Sequence, residues 1–314
     1  MSVALLTELE PVVAQLLDRH LSQSKEWFPH ELVPWSRGRD FTPGEVWDES
    51  QSHLSPEVRS SLFVNLLTED NLPYYSRTIS NVFGRDSAWG EWVRRWTAEE
   101  GRHAIVIRDY LSVTRGIDPV RLERGRMAQV QRGVVPEPDT PQEGLVYVAL
   151  QELATRIAHF NTGRVIGDPA GYEIMKRVAA DENHHHLFYR DLCSAAIELD
   201  PSSMVRAIAR QVREFEMPGV GIDDFPAHAR AIARAGIYDF AVHHEKILVP
   251  IVIEKWGIEH ITGLDADAER ARDELLEHIE RVGRAARRLQ ERRASTKPGA
   301  GSGSGTAFEP VSVS

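Results

Sequence analysis

Apolar residues recur at helical spacing through long stretches of the chain, with Gly and Pro gathered between those stretches and little strand-like alternation anywhere. The pattern predicts an all-α protein. A first helix is expected over about Leu6 to His20, followed by a packed but irregular segment from Trp27 to Pro43 that is rich in Pro, Gly and aromatics. Ser55-Pro56-Glu57 is a strong start signal, with a capping hydroxyl, Pro at the first helical position and an acid in the first turn. It opens a helix expected to run to about Val82. Further helices are expected over about Trp89 to Thr114, Asp118 to Arg132, Pro141 to Ile166 and Pro169 to Leu199, the last two joined by the short turn GDPAG. Shorter ones follow over about Pro201 to Glu214, Pro226 to Gly236 and Tyr238 to Trp256, and a charged amphipathic helix over about Asp265 to Arg293. The reading is a single domain over residues 1–294, with long antiparallel core helices and additional peripheral ones. Residues 295–314 have linker composition and are expected to be disordered.

Composition narrows the function classes. The 314 residues are 42% hydrophobic and 27% charged with a formal net charge of −10, as in an ordinary globular protein, and the acidic balance disfavours binding to nucleic acid. No apolar run approaches the roughly 20 residues a bilayer requires, so membrane insertion is not expected. The N-terminus lacks a basic start followed by an apolar run, and the one cysteine, Cys193, cannot form an intrachain disulfide or hold an iron–sulfur cluster. A cytoplasmic setting is expected.

Chemistry enters with two Glu-x-x-His pairs on predicted helices, Glu100 with His103 and Glu182 with His185. Roughly one such pair arises by chance in a chain of this composition, so the pairs alone decide little. Each is preceded by an acid within an apolar stretch, Glu69 and Glu152, at separations of 31 and 30 residues. The unit therefore occurs twice. Residues at i and i+3 share a helix face, and about thirty residues suffice to reach a helix end, turn and return to the same level. Two hairpins packed face to face would unite four Glu and two His, the ligand set of carboxylate-bridged di-iron and di-manganese helical bundles.

The segments TEDNLPYY, WTAEEGRH, LQELAT and AADENHH resemble, in order and spacing, the di-iron motifs of the soluble acyl-acyl-carrier-protein desaturases, in particular their actinobacterial branch, and the resemblance runs from about Leu6 to Trp256. It implies a ferritin-like bundle, an O2-dependent oxidoreductase, and iron ligands at Glu69, Glu100, His103, Glu152, Glu182 and His185. It also places Thr155 beside the oxygen-binding side of the metal pair, and Trp27, Asp181 and His103 along a hydrogen-bonded electron relay from the surface. The activity implied is insertion of a cis double bond into a fatty acyl chain on acyl carrier protein, with two electrons from ferredoxin and its reductase, in a homodimer. Another di-iron oxidase activity, such as hydroxylation or N-oxygenation, and a catalytically silent carrier-binding protein are the alternatives.

Two departures stand out. The motif EEGRHA has Gly101 where the family's commonest version has Asn, at a cost of about 1 kcal/mol inside a helix. His184 stands where the family often has Arg, and of the three consecutive histidines only His185 is in phase with Glu182. The arginines of the last helix, Arg281 to Arg293, are expected to complement its negative end, with docking of an acidic carrier as the lesser alternative.

Overall fold

Five helix starts share one local device, a polar cap residue followed by Pro. The side chains of Ser55, Asp118, Thr140, Asp168 and Asp200 accept hydrogen bonds from the backbone N–H groups of Val58, Val120, Glu143, Gly171 and Ser203. Each cap satisfies a donor the helix leaves free, and the Pro behind it has no N–H to lose. A computed structural model describes residues 2–219 and 221–296 and contains no strand among them. Its helices are α1 (Ser2–Gln23), α2 (Pro29–Leu32), α3 (Pro56–Glu69), α4 (Leu72–Phe83), α5 (Ser87–Val113), α6 (Pro119–Arg132), α7 (Pro141–Val165), α8 (Pro169–Leu199), α9 (Pro201–Glu214), α10 (Phe225–Arg234), α11 (Phe240–His243) and α12 (Ala266–Thr296).

Helices α3, α5, α7 and α8 form the core bundle, with α7 and α8 paired closely along their lengths. Gly167, at a φ of 69°, supplies the left-handed residue that the tight turn between α7 and α8 requires. Helix α1 lies across α5 and α8, α9 packs on α7, and α12 packs on α9. Two apolar clusters flank the middle of the bundle. The larger joins α1, α5, α7, α8 and α9 and includes Leu9, Trp92 and Leu150; the smaller joins α3, α5 and α8 and includes Leu66, Ile107 and Val178.

The structure corrects three expectations. The helix expected over Pro56 to Val82 is two helices, because Pro73 cannot donate to the Glu69 carbonyl and its ring would collide with it. The chain breaks at Asp70-Asn71, and Asn71 crosses to the Val134 carbonyl at 3.1 Å. The helix expected over Tyr238 to Trp256 begins as α11 and continues as a π-helix, His244–Lys255, that contains Pro250 and closes with Trp256 N–H donating to Ile251 O at 2.8 Å, five residues back. Finally, α12 extends to Thr296, so Ser295 and Thr296 are helical and not part of a tail. The rest of the expected disordered tail, 297–314, lies outside the described residues.

Candidate metal centre

The six predicted ligands meet. Glu69 ends α3, Glu100 and His103 lie one turn apart on α5, Glu152 is on α7, and Glu182 and His185 lie one turn apart on α8; all six are buried. Their ligand atoms form two overlapping groups, Glu69, Glu100, His103 and Glu182 in one and Glu100, Glu152, Glu182 and His185 in the other, each with its atoms within 4.8 Å of one another. Glu100 and Glu182 belong to both.

Each shared carboxylate divides its oxygens between the two halves. From His103 Nδ1, Glu100 Oε2 lies at 3.4 Å, Glu182 Oε1 at 3.5 Å and Glu69 Oε2 at 3.7 Å. From His185 Nδ1, Glu100 Oε1 lies at 2.8 Å, Glu152 Oε2 at 3.6 Å and Glu182 Oε2 at 3.8 Å. The arrangement could hold two cations, with Glu100 and Glu182 shared between them and one further carboxylate and one imidazole on either side.

The polar atoms left over fit metal ions. Glu100 Oε1, His103 Nδ1, Glu152 Oε2, Glu182 Oε2 and His185 Nδ1 are buried and have no hydrogen-bond partner. Buried polar atoms are rarely left unpaired, and these five face a common centre. Burial, with Glu182 and Glu100 nearby, pushes the Glu152 carboxyl well above its usual range. Burial and the Glu182 charge likewise raise Glu100. Burial opposes charge on both imidazoles too, but the surrounding carboxylates outweigh it and raise them, Glu100 being the leading partner of each. Four carboxylates in a dry pocket demand positive charge, which two divalent cations could supply.

The other sequence-derived residues fall around this centre. Trp27 Nε1 donates to Asp181 Oδ2 at 2.8 Å, and that oxygen is 3.5 Å from His103 Nε2. Thr155 donates its hydroxyl to the carbonyls of Glu152 at 3.1 Å and Gln151 at 3.2 Å, the local habit of helical threonines. It also lines both cavities that reach the centre. His186 turns away to the Ala149 carbonyl at 2.8 Å, and His184 is half-buried. In α12, Arg281 and Arg284 pair with acids one turn back, Glu277 and Glu280.

Sequence reasoning missed four neighbours of the ligands. Trp96 donates its indole N–H to Glu152 Oε1 at 3.0 Å, His159 Nε2 lies 3.1 Å from Glu69 Oε1, and Glu99 Oε2 lies 3.0 Å from His185 Nε2 and 2.9 Å from His20 Nε2. Trp96 and His159 carried a usable signal, since they sit four residues before Glu100 and four after Thr155 on the same helix faces. His20 carried none.

Two cavities converge on the cluster. One, of about 640 Å³, is walled by α3, α7, α9, α10 and the segment around Tyr238; the other is narrow, about 40 Å³, and extends between α4, α5 and α7 past Ile79 and Tyr147. Thr68, Glu69 and Thr155 line both.

With this geometry in view, the comparisons with known proteins agree. Residues 1–302 match the fatty acid desaturase family model. The chain belongs to the fatty acid desaturase family. It is 43% identical over 281 residues to the mycobacterial protein named acyl-[acyl-carrier-protein] desaturase DesA1, from Mycobacterium tuberculosis, covering 86% of this chain and 83% of that one. It is 30% identical to the rice protein acyl-[acyl-carrier-protein] desaturase 6, chloroplastic, covering 93% of this chain and 76% of that one. The X-ray structure of DesA2 from Mycobacterium tuberculosis superposes with a TM-score of 0.70 at 30% identity, covering 85% of this chain and 99% of that one. That neighbour has the ferritin-like helical fold expected from the motifs, and family membership makes this chain an oxidoreductase of the desaturase class. No helix among the described residues is long and apolar enough to cross a membrane.

Proposed function

We propose that this desaturase inserts a cis double bond into a fatty acyl chain carried on acyl carrier protein, using two iron ions, O2 and two electrons from ferredoxin and its reductase. One observation carries the reading: a carboxylate and imidazole cluster suited to two cations stands where two cavities meet, with Glu69 and Thr155 on the wall of both. Two irons with O2 supply the oxidising power needed to remove two hydrogens from adjacent methylenes. Glu69, His103, Glu152 and His185 would each hold one iron, and Glu100 and Glu182 would be shared between the two. The acyl chain enters through the wide cavity, passes Thr155 and ends in the narrow one. Leu72, Ile79, Val82 and Phe83 line that end and exclude water from a reaction that would otherwise damage the protein.

The thioester and carrier remain outside, at the mouth of the wide cavity. Electrons enter along Trp27, Asp181 and His103, since the indole donates to Asp181 at the outer end of that line and the same carboxylate oxygen stands 3.5 Å from His103 at its inner end. The working form is a homodimer in the cytoplasm. Iron analysis of protein from iron-replete cells, followed by turnover with ferredoxin, reductase and acyl-carrier substrates of several lengths, tests the reading. Two irons per chain and a cis-alkene product are expected. A hydroxylated product without alkene would make the protein a different di-iron oxidase, and failure to hold iron would leave a carrier-binding protein without catalysis.

A further inference from the structure

We infer that Glu99 and His20 are positioning residues for one metal half-site: they hold His185 from the place that Asp181 and Trp27 occupy beside His103, so that each half of the duplicated unit sets an acid against the histidine of the other. The inference rests on the two-metal reading above. Glu99 immediately precedes the bridging Glu100 on α5, yet its Oε2 lies 3.0 Å from Nε2 of His185 on α8. Asp181 immediately precedes the bridging Glu182 on α8, and its Oδ2 lies 3.5 Å from Nε2 of His103 on α5. Both imidazoles therefore present Nδ1 to the cluster and Nε2 to an acid from the opposite helix.

The crossing continues one layer out. Trp27 Nε1 donates to Asp181 Oδ2 at 2.8 Å, and His20 Nε2 contacts Glu99 Oε2 at 2.9 Å, both partners coming from the N-terminal segment that spans α1 and the chain behind it. Arg102 ties the two arms together, 3.1 Å from Asp181 Oδ2 and 3.8 Å from Glu99 Oε1.

Hydrogen-bond chemistry fixes the tautomers. An ionised carboxylate only accepts, so both nitrogens that meet Glu99 Oε2 carry hydrogen, and in the neutral, cation-binding form of His185 the lone pair is therefore on Nδ1. Arg95 occupies the other oxygen, Oε1, at 2.5 Å. With both oxygens engaged and a guanidinium against it, the His20, Glu99 and His185 group is a hydrogen-bonded support and not a third ion site. His20 also stacks against the His185 ring, with centroids 5.9 Å apart, and meets Trp92 edge-on at 5.0 Å. Such outer partners of a ligating histidine are typically worth about 10–100-fold in metal affinity.

The test is a Co(II) titration of the metal-free full chain, read by visible absorption and by competition with a chelator, which resolves two binding events. Wild type takes up two Co(II). In Glu99→Leu one site weakens about 10–100-fold and the other holds, while far-UV circular dichroism and the melting point of the metal-free protein stay unchanged. His20→Gln, which keeps an N–H donor, stays within about threefold at both sites, whereas His20→Leu weakens the same site as Glu99→Leu. Should Glu99→Leu not fold, Glu99→Gln, which keeps the acceptor but loses the charge, weakens that same site by a smaller factor. Two unaltered sites, or equal weakening of both, would overturn the inference. Failure of the wild type to bind two Co(II) would instead overturn the two-metal reading beneath it.

Discussion

His159 Nε2 lies 3.1 Å from Glu69 Oε1, and Asn65 sets the direction of that contact. The Asn65 amide nitrogen, 3.3 Å from His159 Nδ1, can only donate, so Nδ1 accepts and Nε2 carries the hydrogen that is given to Glu69. Oε1 is thereby occupied and Oε2 is left facing His103. Removing this donor strands one oxygen of a buried carboxylate. His159→Leu is expected to weaken metal binding about tenfold or more, by analogy with other outer partners of metal ligands, and His159→Gln, which restores an N–H donor, to recover most of it. Equal affinity of the wild-type and Leu proteins in a chelator competition would contradict this.

On the proposed path of the acyl chain, its length is limited at the narrow end of the channel. A Cβ on Gly144 would stand 3.1 Å from Val82 Cγ1, 3.3 Å from Phe83 Cζ and 3.4 Å from Pro138 Cγ. Gly144→Val therefore fills space that the end of an acyl chain would use. Because one methylene is worth about 1–3 kcal/mol in an apolar pocket, the preference between the longest accepted chain and one two carbons shorter should move at least tenfold toward the shorter. A mixed-substrate competition, with products resolved by mass spectrometry, reads the ratio directly.

Gly101 is a second position where the space decides. It lies within α5, and an added Cβ meets only Leu72 Cδ2, at 3.9 Å. The helical cost of glycine is therefore recoverable without a clash, and Gly101→Ala is expected to stabilise the protein by about 0.5–1 kcal/mol. Urea unfolding measures it. A loss of stability would mean that the glycine meets a need absent from this packing.

Acid should weaken the fold partly through His243. Burial, reinforced by the neighbouring His244, lowers its pKa to about 4, and Tyr238, held protonated by its own burial, contacts Nδ1 through its hydroxyl at 2.8 Å. A pKa below the unfolded value of about 6.5 means that the unfolded chain binds more protons between those limits. The stability contributed by neutral His243 is complete above about pH 6.5 and is lost as pH falls from there toward 4. After allowance for solvent around a half-buried ring, His243→Gln should reduce the loss of stability between pH 7 and pH 5 by about 1 kcal/mol relative to wild type. Denaturant titrations at the two pH values would show it, and an unchanged difference would refute it.

Much of the architecture is local and therefore legible in the chain. Caps at Ser55, Thr140, Asp168 and Asp200, each followed by Pro, mark helix starts because the interactions they satisfy lie within one turn. The same locality explains why Glu100 with His103 and Glu182 with His185 could be read as ligand pairs, and the 31- and 30-residue spacings brought Glu69 and Glu152 to their level. Pro73 was visible too, but its effect depended on whether the helix would kink or stop. The chain stops there, with Asn71 bonded to the Val134 carbonyl across the fold.

The sequence by itself thus determined an all-α chain, a duplicated ligand unit and the six residues that meet. Only the tertiary structure decided that Glu99 serves His185 rather than its own half, that His159 and Trp96 hold the outer carboxylates, that His20 reaches the cluster, and that two cavities share the wall at Thr155. The physical reason is the range of each signal. Helical periodicity fixes which residues share a face within a few turns, whereas contacts between helices depend on their relative rotation and separation, which come from the packing of the whole core.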